Sequence, residues 1–173
     1  MNIDGTMGAE VNDSENSKLR ELIAEHLFVG EALRHCWTRG VTDVEVLRSE
    51  SDYFGYDVVM ARGEIVRHIQ LKTRRSDGKR REINASLKLM DKPSGCVIWI
   101  MLTPDLRLDH FFWFGGEPGK PMEDISGGKT LKHSKGDASG NKAERPAHRE
   151  IPIAKFTRLE SIHAVLERLF GSL

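Results

Sequence analysis

Seven consecutive apolar residues, 96–102, constrain the fold of this chain more than any other segment. A strand with one face in water alternates polar and apolar side chains, whereas an unbroken apolar run is typical of a strand covered on both faces. Residues 110–114 are rich in Phe and Trp and predict a second strand, which ends at Gly115 and Gly116. We therefore expect an α/β domain with a mixed central sheet that has other elements packed on its faces.

Two amphipathic helices are predicted, one before and one after this sheet. Residues 18–39 are expected to be helical, with Ser17 as N-cap and Gly40 just after the C-terminus. Residues 159–170 repeat the pattern and end at Gly171. Spacings of three and four predict that the buried face of the first helix is formed by Leu19, Leu22, Ile23, Leu27, Leu33 and Trp37.

A predicted β-hairpin carries the residues with the clearest chemical potential. Residues 55–60 and 65–72 are rich in Val and Ile and flank a turn at 62–64. Side chains alternate along a strand, so Gln70 and Lys72 share one face, and Asp57 on the neighbouring strand can converge with them. An acid, an amide oxygen and an ammonium group held together can bind a divalent cation and polarise a phosphodiester.

This pattern resembles the active-site signature of the PD-(D/E)XK (restriction-endonuclease-like) superfamily, in the Gln-x-Lys variant of Mrr-type enzymes. The resemblance covers about residues 18–116 and rests on the order helix, strand, Asp strand, Gln-x-Lys strand. It implies a restriction-endonuclease-like core of about four or five strands flanked by helices. Residues 83–91 suit either a strand or a short helix by their pattern, and the resemblance favours the helix.

The resemblance also implies metal-dependent hydrolysis of phosphodiester bonds, most readily in DNA. Asp57 and the side-chain oxygen of Gln70 would bind Mg²⁺ or Mn²⁺, and Lys72 would orient the attacking water. A Gly-Glu pair inside the first helix is common in the superfamily, which selects Glu31 as a further catalytic and metal-binding residue. At ~100° per residue, a helical wheel does not choose between Glu31 and Glu25, because either could reach the sheet.

Positive charge is concentrated after the predicted catalytic lysine, although the formal net charge of the chain is zero. In a nuclease these residues would hold the phosphate backbone beside the scissile bond. A solvated hairpin tip would carry the same charges, and the sequence leaves both interpretations open. The basic residues around the turn at 76–78 are Arg74, Arg75, Lys79, Arg80 and Arg81.

Length and composition predict one domain in a chain of 173 residues. Residues 1–17 are expected to be a disordered tail, and 18–173 a nuclease-like domain. Within it we expect a core at 18–116, an irregular basic loop at 117–149, and a C-terminal strand and helix at 150–173. The apolar settings of Cys36 and Cys96 predict reduced thiols in a cytoplasmic protein. No segment approaches the ~20 apolar residues needed to cross a bilayer.

Two functions therefore compete. The first is the metal-dependent nuclease, for which a homodimer would suit the cleavage of both strands of a duplex. The second is a catalytically inactive module that binds nucleic acid or supports an assembly while keeping the fold. A glutamine where most relatives have a second acid, and the balanced net charge, allow the second function.

Overall fold

The computed structural model describes residues 16–132 and 142–173, so the predicted tail lies outside the described residues except for its last two. The described residues include two α-helices, α1 (Ser17–Trp37) and α2 (Ile162–Phe170). None of the described helices is long and apolar enough to span a membrane. The strands are β1 (Val44–Arg48), β2 (Val58–Arg62), β3 (Ile65–Arg75), β4 (Glu82–Ser86), β5 (Gly95–Leu102), β6 (Leu108–Gly115), β7 (Thr130–Lys132), β8 (Glu144–Pro152) and β9 (Thr157–Leu159).

The larger sheet has six strands in the order β1-β2-β3-β5-β6-β9. Strands β3 and β5 are parallel, and the other neighbours are antiparallel, so the sheet is mixed as predicted. All eight residues of β5 are buried, which confirms the strand predicted from the apolar run. The prediction of an α/β domain is thus confirmed, although the sheet has six strands instead of four or five.

Different layers cover the two faces of this sheet. Cys96, Ile98 and Ile100 of β5 pack in a helix-side cluster that includes residues of α1 and α2. The alternate residues Val97 and Trp99 pack in a second cluster with residues of β4 and β8. Because alternate side chains of β5 point to opposite faces, a single strand contributes to both hydrophobic cores.

The second layer is a three-stranded sheet in the order β4-β8-β7, which the sequence did not predict. The expected helix over residues 83–91 is wrong, because this segment forms most of β4 and a short 3₁₀ helix, Leu87–Leu89. Segment 117–149, expected to be irregular, supplies β7 and most of β8. Residues 133–141 lie outside the described part of this segment. Because β4 pairs with β8, the alternating residues Ile83 and Ala85 form the buried face of a strand.

Helix α1 is present as predicted, but it packs on the sheet through a different face. Its buried residues are Ala24, Phe28, Ala32 and Cys36, which share one side of the helix and are mostly small. The large residues Leu19, Leu22, Leu27, Leu33 and Trp37 are exposed, and Trp37 is 75% exposed. Asn16, not Ser17, occupies the N-cap position. The predicted buried face is therefore wrong, because small side chains let the helix approach the sheet closely.

Arg67 connects β3 to the C-terminal helix on the face opposite the polar trio. This fully buried side chain donates hydrogen bonds to the carbonyl oxygens of Arg168 (2.7 Å), Leu169 (2.9 Å) and Gly116 (3.0 Å). The last carbonyl groups of a helix have no partner within the helix, so these bonds stabilise the end of α2. They also hold β3 in place, and β3 carries Gln70 and Lys72 on its other face.

Candidate active site

A groove with a volume of about 880 Å³ lies between the six-stranded and three-stranded sheets. Strands β3, β4 and β8 contribute side chains to its walls, and the N-terminal half of α1 closes one end. Asp57, Gln70 and Lys72 all line this groove. The three residues that the sequence singled out thus share one concave surface.

Strand register and one hydrogen bond bring Asp57 to the middle of β3. Asp57 comes immediately before β2, whose first residue, Val58, pairs with Ile69. The backbone N–H of Asp57 donates to the carbonyl of Ile69 at 2.9 Å. Its carboxylate oxygen Oδ2 accepts a hydrogen bond of 2.6 Å from the backbone N–H of Leu71. Asp57 is therefore fixed beside the backbone that links Gln70 to Lys72.

Gln70 presents a buried oxygen that lacks a hydrogen-bond partner. The residue is only 7% exposed, and its Oε1 atom accepts no hydrogen bond within the described part of the chain. An unsatisfied buried acceptor typically costs about 1–3 kcal/mol, so such atoms often mark a site where a ligand or ion binds. Because Gln70 also lines the groove, the amide oxygen is suitably placed to act as a cation ligand.

Lys72 lies two residues further along β3, on the same face, opposite Trp99. It is half-buried and forms no ion pair among the described residues, including none with Asp57. His148 of β8 faces the same groove. Burial lowers the pKa of His148, and the positive charges of Arg145 and Lys72 lower it further. The His148 imidazole therefore favours its neutral form next to the positive charges of the groove.

The structure does not bring Glu31 to this groove. The Glu31 carboxylate binds the Arg34 guanidinium in two hydrogen bonds of 2.6 and 2.8 Å, and this pairing lowers the pKa of Glu31. Glu25, the other acid that the wheel allowed, lines the groove and pairs with Arg48 at 3.1 Å. The prediction of Glu31 rested on the Gly-Glu resemblance, because the helical wheel allowed either acid, and the rotation of α1 turns Glu25 and not Glu31 toward the groove.

Positive charge outweighs negative charge along the groove. The carboxylates that line it are Glu21, Glu25, Asp57 and Asp77, and the cations are Arg20, Lys72, Arg74, Arg75, Arg80 and Arg145. Of the predicted phosphate-binding residues, Arg74, Arg75 and Arg80 line the groove, whereas Lys79 and Arg81 do not. The sequence missed Arg20, Arg145 and His148, since only the pairing of β4 with β8 brings the last two residues to β3.

We call Arg74, Arg75 and Arg80 the basic wall of the groove, and contacts with neighbouring residues hold their side chains in place. The Arg74 guanidinium lies 6.0 Å from the centre of the Trp99 ring and also donates to the carbonyl oxygen of Arg80. Arg75 pairs with Asp77 at 2.9 Å. These contacts hold the arginines against the sheet instead of leaving them free in solvent, which lowers the entropy lost on binding an anion.

The oxygen ligands of the groove suit a hard cation that is shared with a phosphate. The described residues contain no group of three or more His, Cys, Asp or Glu side chains that could hold a metal ion by themselves. Asp57 offers one carboxylate and Gln70 one amide oxygen. Mg²⁺ usually keeps several waters and binds through one or two carboxylates plus substrate phosphates, so this pair fits Mg²⁺ in company with a phosphodiester.

Comparison with known proteins gives no family assignment: no protein-family model matches this chain, and no curated protein matches it.

Proposed function

We propose that this protein is a metal-dependent nuclease that hydrolyses phosphodiester bonds, most readily in DNA, and that it acts in the cytoplasm. The observation that carries the proposal is the position of Asp57, Gln70 and Lys72 on one wall of a cationic groove. An anchored carboxylate, an unpaired buried amide oxygen and a lysine are the groups needed to bind a cation and polarise a phosphate.

The basic residues of the groove bind and position the substrate. The arginines that line the groove can contact successive phosphates of one strand; they include Arg74, Arg75, Arg80 and Arg145. Such contacts carry no sequence information, so the groove favours cleavage that depends little on base sequence. The backbone strand is thereby oriented along β3, with a phosphate next to Lys72.

Asp57 and Gln70 would hold Mg²⁺ or Mn²⁺, which when bound makes a water molecule more acidic and neutralises charge on the phosphate. The Leu71 N–H fixes the direction of the Asp57 carboxylate. Lys72 orients the attacking water and stabilises the negative charge that develops on the phosphate oxygens in the transition state.

Cleavage assays on plasmid, single-stranded DNA and RNA test this function. We expect the wild-type protein to cut in Mg²⁺ and not in EDTA, and Lys72→Ala to lose at least about 100-fold in rate. Lys120→Ala is the matched control, because it removes the same charge from an exposed position that does not line the groove. Its rate should stay within about threefold of wild type.

Two outcomes would contradict the nuclease. Full activity in a folded Lys72→Ala protein would exclude the proposed role of this lysine. Nucleic-acid binding without cleavage of any substrate, in either Mg²⁺ or Mn²⁺, would instead favour the inactive binding module.

A further inference from the structure

Three aromatic side chains form a row that leads outward from the groove, which we call the aromatic ladder: Tyr53, Phe54 and Tyr56. Tyr56 lines the groove, and its ring lies 6.3 Å from that of Phe54, with an angle of 23° between their planes. Tyr53 contacts Phe54 edge-on at 5.1 Å between ring centres. Tyr53 and Phe54 belong to a short 3₁₀ helix between β1 and β2. The ladder is thus continuous with the wall next to Asp57.

The outer two rings of the ladder are exposed and have no role in the core. Tyr53 is 66% and Phe54 45% exposed, and neither belongs to a buried cluster, whereas Tyr56 packs against the second cluster. Single exposed apolar residues are common, but adjacent exposed aromatic rings beside a charged groove often mark an interaction site. Core packing therefore accounts for Tyr56 only.

Two lysines lie against the ladder from the segment that follows β4. The Lys88 ammonium is 3.0 Å from the centre of the Tyr53 ring. The Lys92 ammonium is 4.7 Å from the centre of Phe54 and 5.3 Å from that of Tyr56. Neither lysine forms an ion pair within the described part of the chain. The ladder thus combines flat apolar surfaces with cations that have no carboxylate partner among the described residues.

We propose that Tyr53 and Phe54 stack the bases of an unpaired nucleic-acid strand that enters the groove, while Lys88 and Lys92 contact its phosphates. Bases stacked on aromatic side chains beside a cationic track are the usual means of binding single strands. The base faces inside a continuous duplex are already stacked on each other and cannot reach the rings. The substrate class is therefore a single strand, or a duplex with an unpaired end. This inference rests on the proposed function.

Binding of labelled oligonucleotides to the Lys72→Ala protein in Mg²⁺ tests the ladder without interference from cleavage. The probes are a fluorescent single strand of about 20 nucleotides, which exceeds the usual site size of an aromatic single-strand platform, and a blunt duplex of the same sequence. Adding Tyr53→Ala and Phe54→Ala together should weaken single-strand binding by at least about 30-fold, because the stacking of two bases is lost. Duplex binding should change less than about threefold.

Two further variants serve as controls. Trp37→Ala removes an even more exposed aromatic ring that does not line the groove, and it should leave both affinities unchanged. Replacing Tyr53 by Phe and Phe54 by Tyr keeps two stacking surfaces, so it should preserve single-strand binding.

Four results would overturn the inference. An unchanged single-strand affinity in the double alanine variant, or equal losses for single strand and duplex, would exclude base stacking while leaving the nuclease proposal intact. Failure of the Lys72→Ala parent to bind any nucleic acid would remove both proposals together. Pull-down of a protein partner that depends on Tyr53 and Phe54, with no effect on oligonucleotides, would assign the ladder to a protein surface.

Discussion

The carboxylate of Asp57 and the backbone N–H of Leu71 are joined by a hydrogen bond of 2.6 Å. Leu71 lies between Gln70 and Lys72, so this bond ties the proposed metal-binding acid to the strand that carries the other two groups. Leu71 itself points to the opposite face and packs against the helix-side cluster. The position of Asp57 therefore depends on the hydrophobic core as well as on the groove.

Two substitutions at Asp57 should distinguish the role of its negative charge in cleavage from the role of its hydrogen bond in stability. Asp57→Asn keeps an oxygen that can accept from Leu71 but removes the negative charge, so we expect cleavage to fall at least about 100-fold while stability changes by less than about 1 kcal/mol. Asp57→Ala also removes the acceptor and should lower the free energy of unfolding by about 1.5–3 kcal/mol. Cleavage rates and urea unfolding measure the two effects. An active Asp57→Asn enzyme would contradict the assigned role.

Gln70→Glu should strengthen metal binding. A carboxylate holds a hard cation more strongly than a neutral amide oxygen, so half-maximal Mg²⁺ binding should occur at a lower concentration, as measured by calorimetry. Asn84→Asp is the matched control, because it adds the same charge to the same groove from β4. Equal gains in the two variants would mean that the general field of the groove, and not ligation by residue 70, sets the affinity. If neither wild type nor Gln70→Glu binds Mg²⁺ or Mn²⁺, the groove holds no metal.

The basic wall should control the salt dependence of binding. Changing Arg74, Arg75 and Arg80 to Ala should lower the slope of log affinity against log salt by about 2–3, at roughly 0.7–0.9 per lost phosphate contact. The double variant Lys79→Ala, Arg81→Ala removes charges that do not line the groove and should change the slope less. Titrations at several salt concentrations, with circular dichroism to check folding, distinguish the two sets. If the triple variant and wild type had the same slope, the three arginines would be a solvated hairpin tip that does not contact phosphates.

The local pattern of the sequence was enough to predict the elements of the larger sheet that pair over short distances. The hairpin of β2 and β3 forms as expected, and the period of two predicted that Gln70 and Lys72 would share a face. The all-apolar β5 indicated a strand buried on both faces. These features depend only on neighbours in sequence and on alternation, which a single chain displays directly.

The second sheet could not be predicted in the same way. Glu82 of β4 pairs with Pro152 of β8, and no local pattern indicates a partner so distant in the chain. This pairing brings Arg145 and His148 to the groove, so these two site residues could not be predicted from local patterns either. The choice between Glu31 and Glu25 depends on the rotation of α1, which the sequence also leaves open. Apolar residues recur on two faces of α1, and the space above the sheet, not hydrophobicity, determines which face is buried.

Because α1 buries Phe28 and exposes Leu33, substitutions at these two positions should differ in their effect on stability. Phe28→Ala should lower the free energy of unfolding by about 3–5 kcal/mol, since Phe28 is fully buried and contacts the Phe111 ring edge-on. Leu33→Ala, on the exposed side, should change it by less than about 0.5 kcal/mol. Urea unfolding of the two variants gives the comparison. If Leu33→Ala lowered the free energy of unfolding more than Phe28→Ala, α1 would be buried through the face that the sequence predicted.

The last prediction concerns acidic pH. Burial lowers the pKa of His68, and the charge of Lys92 lowers it further. As pH falls below about 7, the unfolded chain therefore binds a proton at His68 near its ordinary pKa of 6.5, while the folded state resists protonation until lower pH. The free energy of unfolding should fall with pH across this window.

His68→Phe isolates the contribution of this one imidazole. The variant keeps a ring against Tyr56, whose ring centre is 5.0 Å away, and removes both the titration and a buried Nδ1 atom without a hydrogen-bond partner among the described residues. His35 and His148 also have pKa values lowered first by burial, so wild type and variant should both lose stability in acid, but the variant less. Urea unfolding at a series of pH values between about 7.5 and 5 measures the difference between the two curves. Parallel curves would mean that His68 gains its proton equally easily in the folded and unfolded states.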